Sequence, residues 1–191
     1  MYKDFKLRSP FFLAGAVFLF LMGVPLASPG DYHAAAADPA PGTVLGPSGL
    51  PLPRFVSLKP SKVNLRIGPG RQYAVSWLFQ KSGLPVEIIQ EYDNWRRIRD
   101  ADGAEGWVYQ SLLSGKRTGI VAPWKKDDPK TLMNLYSGPS ETSNLVARVE
   151  PGVIGTLNEC DGEWCEFKIE RVSGWIRQRE LWGAYPGEQF D

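Results

Sequence analysis

Cys160 and Cys165, which bracket Asp161-Gly162-Glu163-Trp164, are the residues of this sequence best suited to covalent chemistry. A thioredoxin-type redox pair needs C-x-x-C beside a βαβ pattern, and neither is present. A zinc site needs about four ligands, against two thiols and a single imidazole, His33, near the N-terminus. What remains is a structural disulfide, because the two thiols face each other if the segment folds as a hairpin around Asp161-Gly162. Triad and Cys-His mechanisms lack a base once His33 is lost with the N-terminal segment. Gly68-Pro69-Gly70 has no following lysine, and its proline lacks the N–H that a phosphate-cradling loop uses. Asp161, Glu163 and Glu166 cluster near one hairpin, but paired carboxylates hydrolyse glycosides from a cleft, and acids on turns and strand surfaces are common. The inventory therefore reads as non-catalytic, with no cofactor and no metal. Binding chemistry is left. Arg66 and Arg71 flank the Gly-Pro loop and can meet a carboxylate, while Tyr73, Trp77, Tyr92, Tyr109 and Tyr136 offer flat apolar faces.

The elements that must position these residues occur twice. Asn64-Leu65-x-x-Gly68-Pro69, Trp95, Gly106-Trp107-Val108 and Leu112 return as Asn134-Leu135-x-x-Gly138-Pro139, Trp164, Gly174-Trp175-Ile176 and Leu181. The offset drifts only from 70 to 68, so order, spacing and residue type argue two copies of one module. Each copy consists of short runs of valine, isoleucine and aromatic residues separated by turn residues, without helical periodicity. Val63 to Ile67, Val75 to Gln80, Pro85 to Tyr92, Trp95 to Arg99 and Gly106 to Tyr109 read as strands. Asp93-Asn94 and Lys81-Ser82-Gly83 read as turns, matched by Asp161-Gly162 and Pro151-Gly152 in the second copy. Strands this short fit a small barrel that removes its edges by closing. A unit of this size buries only about 60% of its unfolded surface, so two barrels are expected to pack together. Trp95 with Trp164, Trp107 with Trp175 and Ile98 with Phe167 are expected in the cores. Trp124, Trp182 and Tyr185 are expected to join the barrels. Gly106 and Gly174 mark a close backbone approach. Aligning Trp95 with Trp164 puts Glu91 at the Cys160 position and Arg96 at the Cys165 position. An ion pair would then face across one hairpin where a disulfide crosses the other, worth at most about 1 kcal/mol if exposed.

Lys3, Lys6 and Arg8 precede an apolar run from Phe11 to Val24, and Ala34 to Ala37 follow. This is the pattern of a secretory signal over residues 1–37, with an uncleaved membrane anchor as the alternative. Either way the remainder is expected to be exported, to the periplasm or cell envelope, where disulfides persist. Cleavage would take the 22 basic and 21 acidic residues to 19 of each. A formally neutral chain gives no support for nucleic-acid binding. Residues 38–54 hold five prolines and three glycines without a P-x-x-P motif, and read as a flexible linker.

Asn-Leu-Arg-x-Gly-Pro-Gly at 64–70, Trp95-x-x-Ile98, and Gly103-x-x-Gly106-Trp107-Val108 with a following leucine resemble the bacterial SH3-like (SH3b) domain. The resemblance covers residues 55 to 185. The second copy departs from it, with Tyr136 and Ser137 for Arg66 and Ile67, and Ser140 for Gly70. The resemblance implies an all-β fold of two tandem five-stranded barrels, residues 55–115 and 116–186, used for binding in the envelope. Peptidoglycan or its peptide stems would be the partner; the alternative is an envelope protein held by the tandem barrels. Aromatics beside Arg66 and Arg71 in one shallow groove would favour the wall ligand. A broad apolar patch or an unpaired, uncharged edge strand would favour a protein.

Overall fold

The computed structural model describes residues 44–128 and 130–191, so the expected signal segment and residues 38–43 lie outside the described residues. Short strands and tight turns give the all-β architecture that the residue pattern calls for. A small hairpin, β1 (Val44–Leu45) and β2 (Pro51–Leu52), comes first. The first copy then runs β3 (Arg54–Leu58), β4 (Val63–Arg66), β5 (Val75–Phe79), β6 (Pro85–Tyr92), β7 (Trp95–Arg99), β8 (Glu105–Tyr109) and β9 (Leu113–Ser114). The second runs β10 (Thr118–Val121), β11 (Met133–Tyr136), β12 (Leu145–Val149), β13 (Ile154–Asp161), β14 (Trp164–Ile169), β15 (Val172–Arg177) and β16 (Leu181–Trp182), with β17 (Gln189–Phe190) added.

The sheets have the order β5-β4-β8-β7-β6-β3-β9 and β12-β11-β15-β14-β13-β10-β16, the same path element for element. Five strands, β4 to β8, match the expected barrel. The lead strand β3 and the two-residue β9 extend it. Each sheet wraps one apolar core. Leu65, Ile98 and Val108 fill the first, and Leu135, Phe167 and Ile176 stand at the equivalent places in the second, all essentially inaccessible. Burying each such side chain stabilises by roughly 1.5–3 kcal/mol. Gly106 and Gly174 have the expected role. A Cβ on Gly106 would lie 2.6 Å from Leu65 Cγ, and one on Gly174 2.7 Å from the Tyr136 carbonyl oxygen.

Strand parity corrects one expectation. In β7 and β8 the inward positions are Arg96, Ile98, Gly106 and Val108, so Trp95 and Trp107 face outward and are only half-buried. Trp175 is half-buried in the same way, whereas Trp164 is buried.

The long hairpins carry the paired positions. Cys160 and Cys165 are opposite in register and disulfide-bonded, with Cα atoms 4.1 Å apart. Glu91 and Arg96 are opposite at the equivalent place, Arg96 Nε lying 3.1 Å from Glu91 Oε1. The pair is not the exposed one the alignment suggested, since each residue is 7% exposed. Arg54 Nη2 reaches the same carboxylate at 2.6 Å, and Ser48 donates to it through its backbone N–H (2.9 Å) and hydroxyl (2.8 Å). Burial pushes the Glu91 carboxyl up, but the hydrogen bonds from Arg54 and Ser48, together with the Arg54 charge, hold it at about 2.

Ser48 belongs to the stretch read as linker. From Val44 onward that stretch is a hairpin docked on the first barrel, with Gly46 N–H bonded to the Leu50 carbonyl and Leu52 packed on the core. Its composition reads as a spacer because Gly46, Pro47 and Gly49, which also make a tight turn, are the residues of which spacers are made.

The barrels meet along a packed seam. Phe55 lies between Trp182 (ring centroids 5.1 Å) and Tyr185 (4.7 Å), and the Tyr185 hydroxyl donates to Glu87 Oε1 at 2.8 Å. Ile120 of β10 is buried within the first core. Trp182 and Tyr185 join the barrels as expected. Trp124 does not, and is 58% exposed.

Candidate functional site: an aromatic groove on the first barrel

Arg66 closes β4, where a register shift turns the chain toward the Gly68-Pro69-Gly70 loop and sets Arg66 opposite Trp107 of β8. Its Nη1 donates to the carbonyls of Arg71 (3.1 Å) and Tyr73 (2.7 Å), so this cation ties the loop down. Tyr73 lies over Gly68, where a Cβ would collide with its ring. On the neighbouring strands Trp95 opens β7 and Tyr109 ends β8, opposite in register. Their rings meet edge to face at 5.5 Å, a geometry favoured by the aromatic quadrupole.

Arg66, Arg71, Trp95 and Tyr109 line a shallow groove of about 570 Å³, with Lys62 and Leu78 on its wall. Three cations border it and no carboxylate does. The Arg71 side chain makes no ion pair among the described residues. The groove offers donors and ring faces but no acid, imidazole or thiol. Such an arrangement can bind a ligand that is part anionic and part apolar.

The second barrel has the same place filled. Tyr136 stands where Arg66 does, Arg177 where Tyr109 does, and Glu141 where Arg71 does. The ring pair survives, with Tyr136 and Trp164 edge to face at 5.7 Å. Cation and aromatic have changed places around it. The Arg177 guanidinium lies 4.2 Å from the Trp164 ring centroid and pairs with Glu141 (2.9 Å) and Glu163. These contacts, the Glu141 hydrogen bond foremost, raise the Arg177 pKa. Trp164 is left 3% exposed. The chain itself occupies what is open on the first barrel.

Of the residues singled out from the sequence, the structure brings together Arg66, Arg71 and Tyr109. Tyr73 supports the loop from beside the groove. Trp77 on β5 and Tyr92 at a hairpin tip are each 60% exposed but do not line it. Tyr136 belongs to the filled site. Trp95 and Lys62 were missed. Trp95 was legible from parity, since it is three residues from the buried Ile98 and so on the opposite face. The three acids near the second hairpin have structural work. Asp161 accepts the backbone N–H groups of Glu163 and Trp164, and Glu163 pairs with Arg177. Glu166 accepts hydrogen bonds from Asn158 and Ser173, which lower its pKa.

A family model described as bacterial SH3 domain matches residues 59–115 and 129–183, more than half of the chain. The chain belongs to that family. The "Putative N-acetylmuramoyl-L-alanine amidase YrvJ" of Bacillus subtilis (strain 168) is 23% identical over 119 residues, covering 60% of this chain. This chain spans 23% of the length of that relative. Among solved structures, NlpC2 from Trichomonas vaginalis matches at 16% identity and a TM-score of 0.30, over 68% of this chain and 48% of that one. The structure "Endolysin LysPBC5 CBD" matches at 16% identity and a TM-score of 0.25, over 68% of this chain and 91% of that one.

Proposed function

We propose that this is a binding module of the bacterial cell envelope whose first barrel holds the peptide stem of peptidoglycan in the Trp95–Tyr109 groove. The observation that carries the reading is the open ring pair bordered by Lys62, Arg66 and Arg71, beside an equivalent site that Arg177 closes. A stem peptide presents carboxylates and short apolar side chains. The guanidinium of Arg71 is free to fork onto a carboxylate, and the rings accept the apolar part. Family membership supports a binding role, and the relative that shares the segment is named as an N-acetylmuramoyl-L-alanine amidase. Export to the envelope belongs to this reading, and the Cys160–Cys165 disulfide accords with it.

The test is co-sedimentation of the full-length protein with purified peptidoglycan sacculi. Saturable pelleting is expected, weakened about tenfold or more by Arg71→Ala or Trp95→Ala and unchanged by Arg177→Ala. Protein that stays in the supernatant over a range of salt and pH would sink the wall reading. A protein-adaptor role would then take precedence. One observation favours it: β5 ends its sheet, carries no charge, and exposes Val75, Trp77 and Leu78, a surface open to strand addition.

A further inference from the structure

The seam between the barrels carries a second opening, which shares no lining residue with the aromatic groove and has a different chemistry. A cavity of about 630 Å³ opens there between the end of β3, the β5–β6 turn and the β9–β10 connection on one side, and β10, β13 and β14 on the other. Lys59, Lys81, Lys116 and Lys168 line it. All four are exposed, and none forms a salt bridge among the described residues. Lys168 shares its strand with Glu166, which feels its charge without closing on it. Glu170 is the sole carboxylate among the described lining residues. A chain with 22 basic and 21 acidic residues thus sets four lysines against one carboxylate around a single cavity. An anion entering the cavity would meet that net positive charge.

A second observation is independent of charge. The Thr118 hydroxyl is buried, has no hydrogen-bond partner among the described residues, and belongs to a residue lining this cavity that is 6% exposed. Buried polar groups are ordinarily bonded, and leaving one unpaired is costly. Ser82 and Thr156 add further hydroxyls to the wall.

We infer that this inter-barrel cavity is a binding site for a phosphate-bearing polyanion. The side chains choose the ligand class. Lysine meets phosphate as a compact point charge on a flexible stem, without the planar fork that suits a single carboxylate. Four such charges over a broad cavity suit successive phosphates of a flexible chain, whereas the groove of the first barrel is bordered by the forked side chains of Arg66 and Arg71. The cavity also needs both copies. Lys59 and Lys81 come from the first barrel, Lys168 from the second, and Lys116 from the connection. An isolated barrel would carry only part of the cluster, so the site is a property of the tandem.

The test titrates the full-length protein with inorganic polyphosphate, and in a second arm with phosphatidylglycerol vesicles against phosphatidylcholine vesicles. Saturable binding that weakens as salt rises is expected in at least one arm. Lys81→Gln/Lys168→Gln should lower that affinity about tenfold or more. Arg71→Ala should leave it unchanged. Polyphosphate binding would assign the site to a free polymer, and lysine-dependent vesicle binding alone would assign it to a lipid headgroup. Absence of saturable binding in both arms overturns the proposal, and so does binding that survives the double lysine variant. Loss of sacculus binding by the groove variants bears only on the first barrel.

Discussion

Glu91 gathers Arg54, Arg96 and Ser48 on one buried carboxylate. Its ordinary value of 4.5 falls to about 2 in the fold. A depressed carboxylate contributes stability that is fully present above its unfolded value and lost as the pH falls toward its folded one. The window is therefore about pH 4.5 down to 2, and the contribution is on the order of 3 kcal/mol. Glu91→Gln should destabilise the protein at pH 7, where it leaves two arginines without their anion. Urea unfolding at pH 7 and again at pH 2 should show the gap between wild type and variant shrinking by that order. A gap that stays constant would mean the carboxylate charge is not what holds the hairpin. The facing of Glu91 and Arg96 was legible, because Cys160 and Cys165 mark the same two positions. Its burial was not. Arg54 and Ser48 arrive from a segment whose composition names only a loop.

At the scale of elements, the groove depends on how closely β8 approaches β4. Gly106 allows that approach, and Arg66 and Tyr109 are carried by the two strands it brings together. Gly106→Ala would put a methyl group 2.6 Å from Leu65 Cγ and 2.8 Å from the Arg66 carbonyl oxygen. The expected cost is about 1–3 kcal/mol from overpacking, and Arg66 should shift with its strand. Denaturant unfolding together with sacculus co-sedimentation checks both effects. Full stability with full binding would show that the strands can part without moving the groove. The glycine was readable in the sequence from its repeated place before a tryptophan. Which face that tryptophan takes follows from parity along the strand, and the duplication hid it, because matching residues suggested matching burial.

For the whole molecule the question is whether two barrels behave as one. Phe55 sits between Trp182 and Tyr185, Ile120 completes the core of the first barrel, and the Tyr185 hydroxyl bonds Glu87 across the seam. Burial first, and then the Glu87 bond and charge, raise the Tyr185 pKa, so the hydroxyl stays a donor throughout the ordinary range. Packing of this kind should give a single cooperative unfolding transition. Phe55→Ala should lower its midpoint, at a cost of about 3–5 kcal/mol. Differential scanning calorimetry decides: two separate transitions in the wild type would mean that the seam does not couple the barrels. A coupled seam is also what the lysine-lined cavity requires, since its walls come from both copies.

By itself the sequence determined the duplicated strand plan, the turns, the close glycines and the pairing of Cys160 with Cys165. These are written in local periodicity and in a spacing repeated twice, and each depends on neighbours a few residues away. It also supplied Arg66, Arg71 and Tyr109 as candidates. Tertiary structure decided which of the two equivalent sites is open. That outcome rests on Arg177 reaching Glu141, 36 residues distant, and lying over Trp164. Tertiary structure likewise drew Ser48 onto Glu91 and gathered four lysines at the seam. The physical reason is the same in each case. Burial and charge compensation depend on which distant groups share a volume, and sequence spacing carries that information only where the partners are close along the chain.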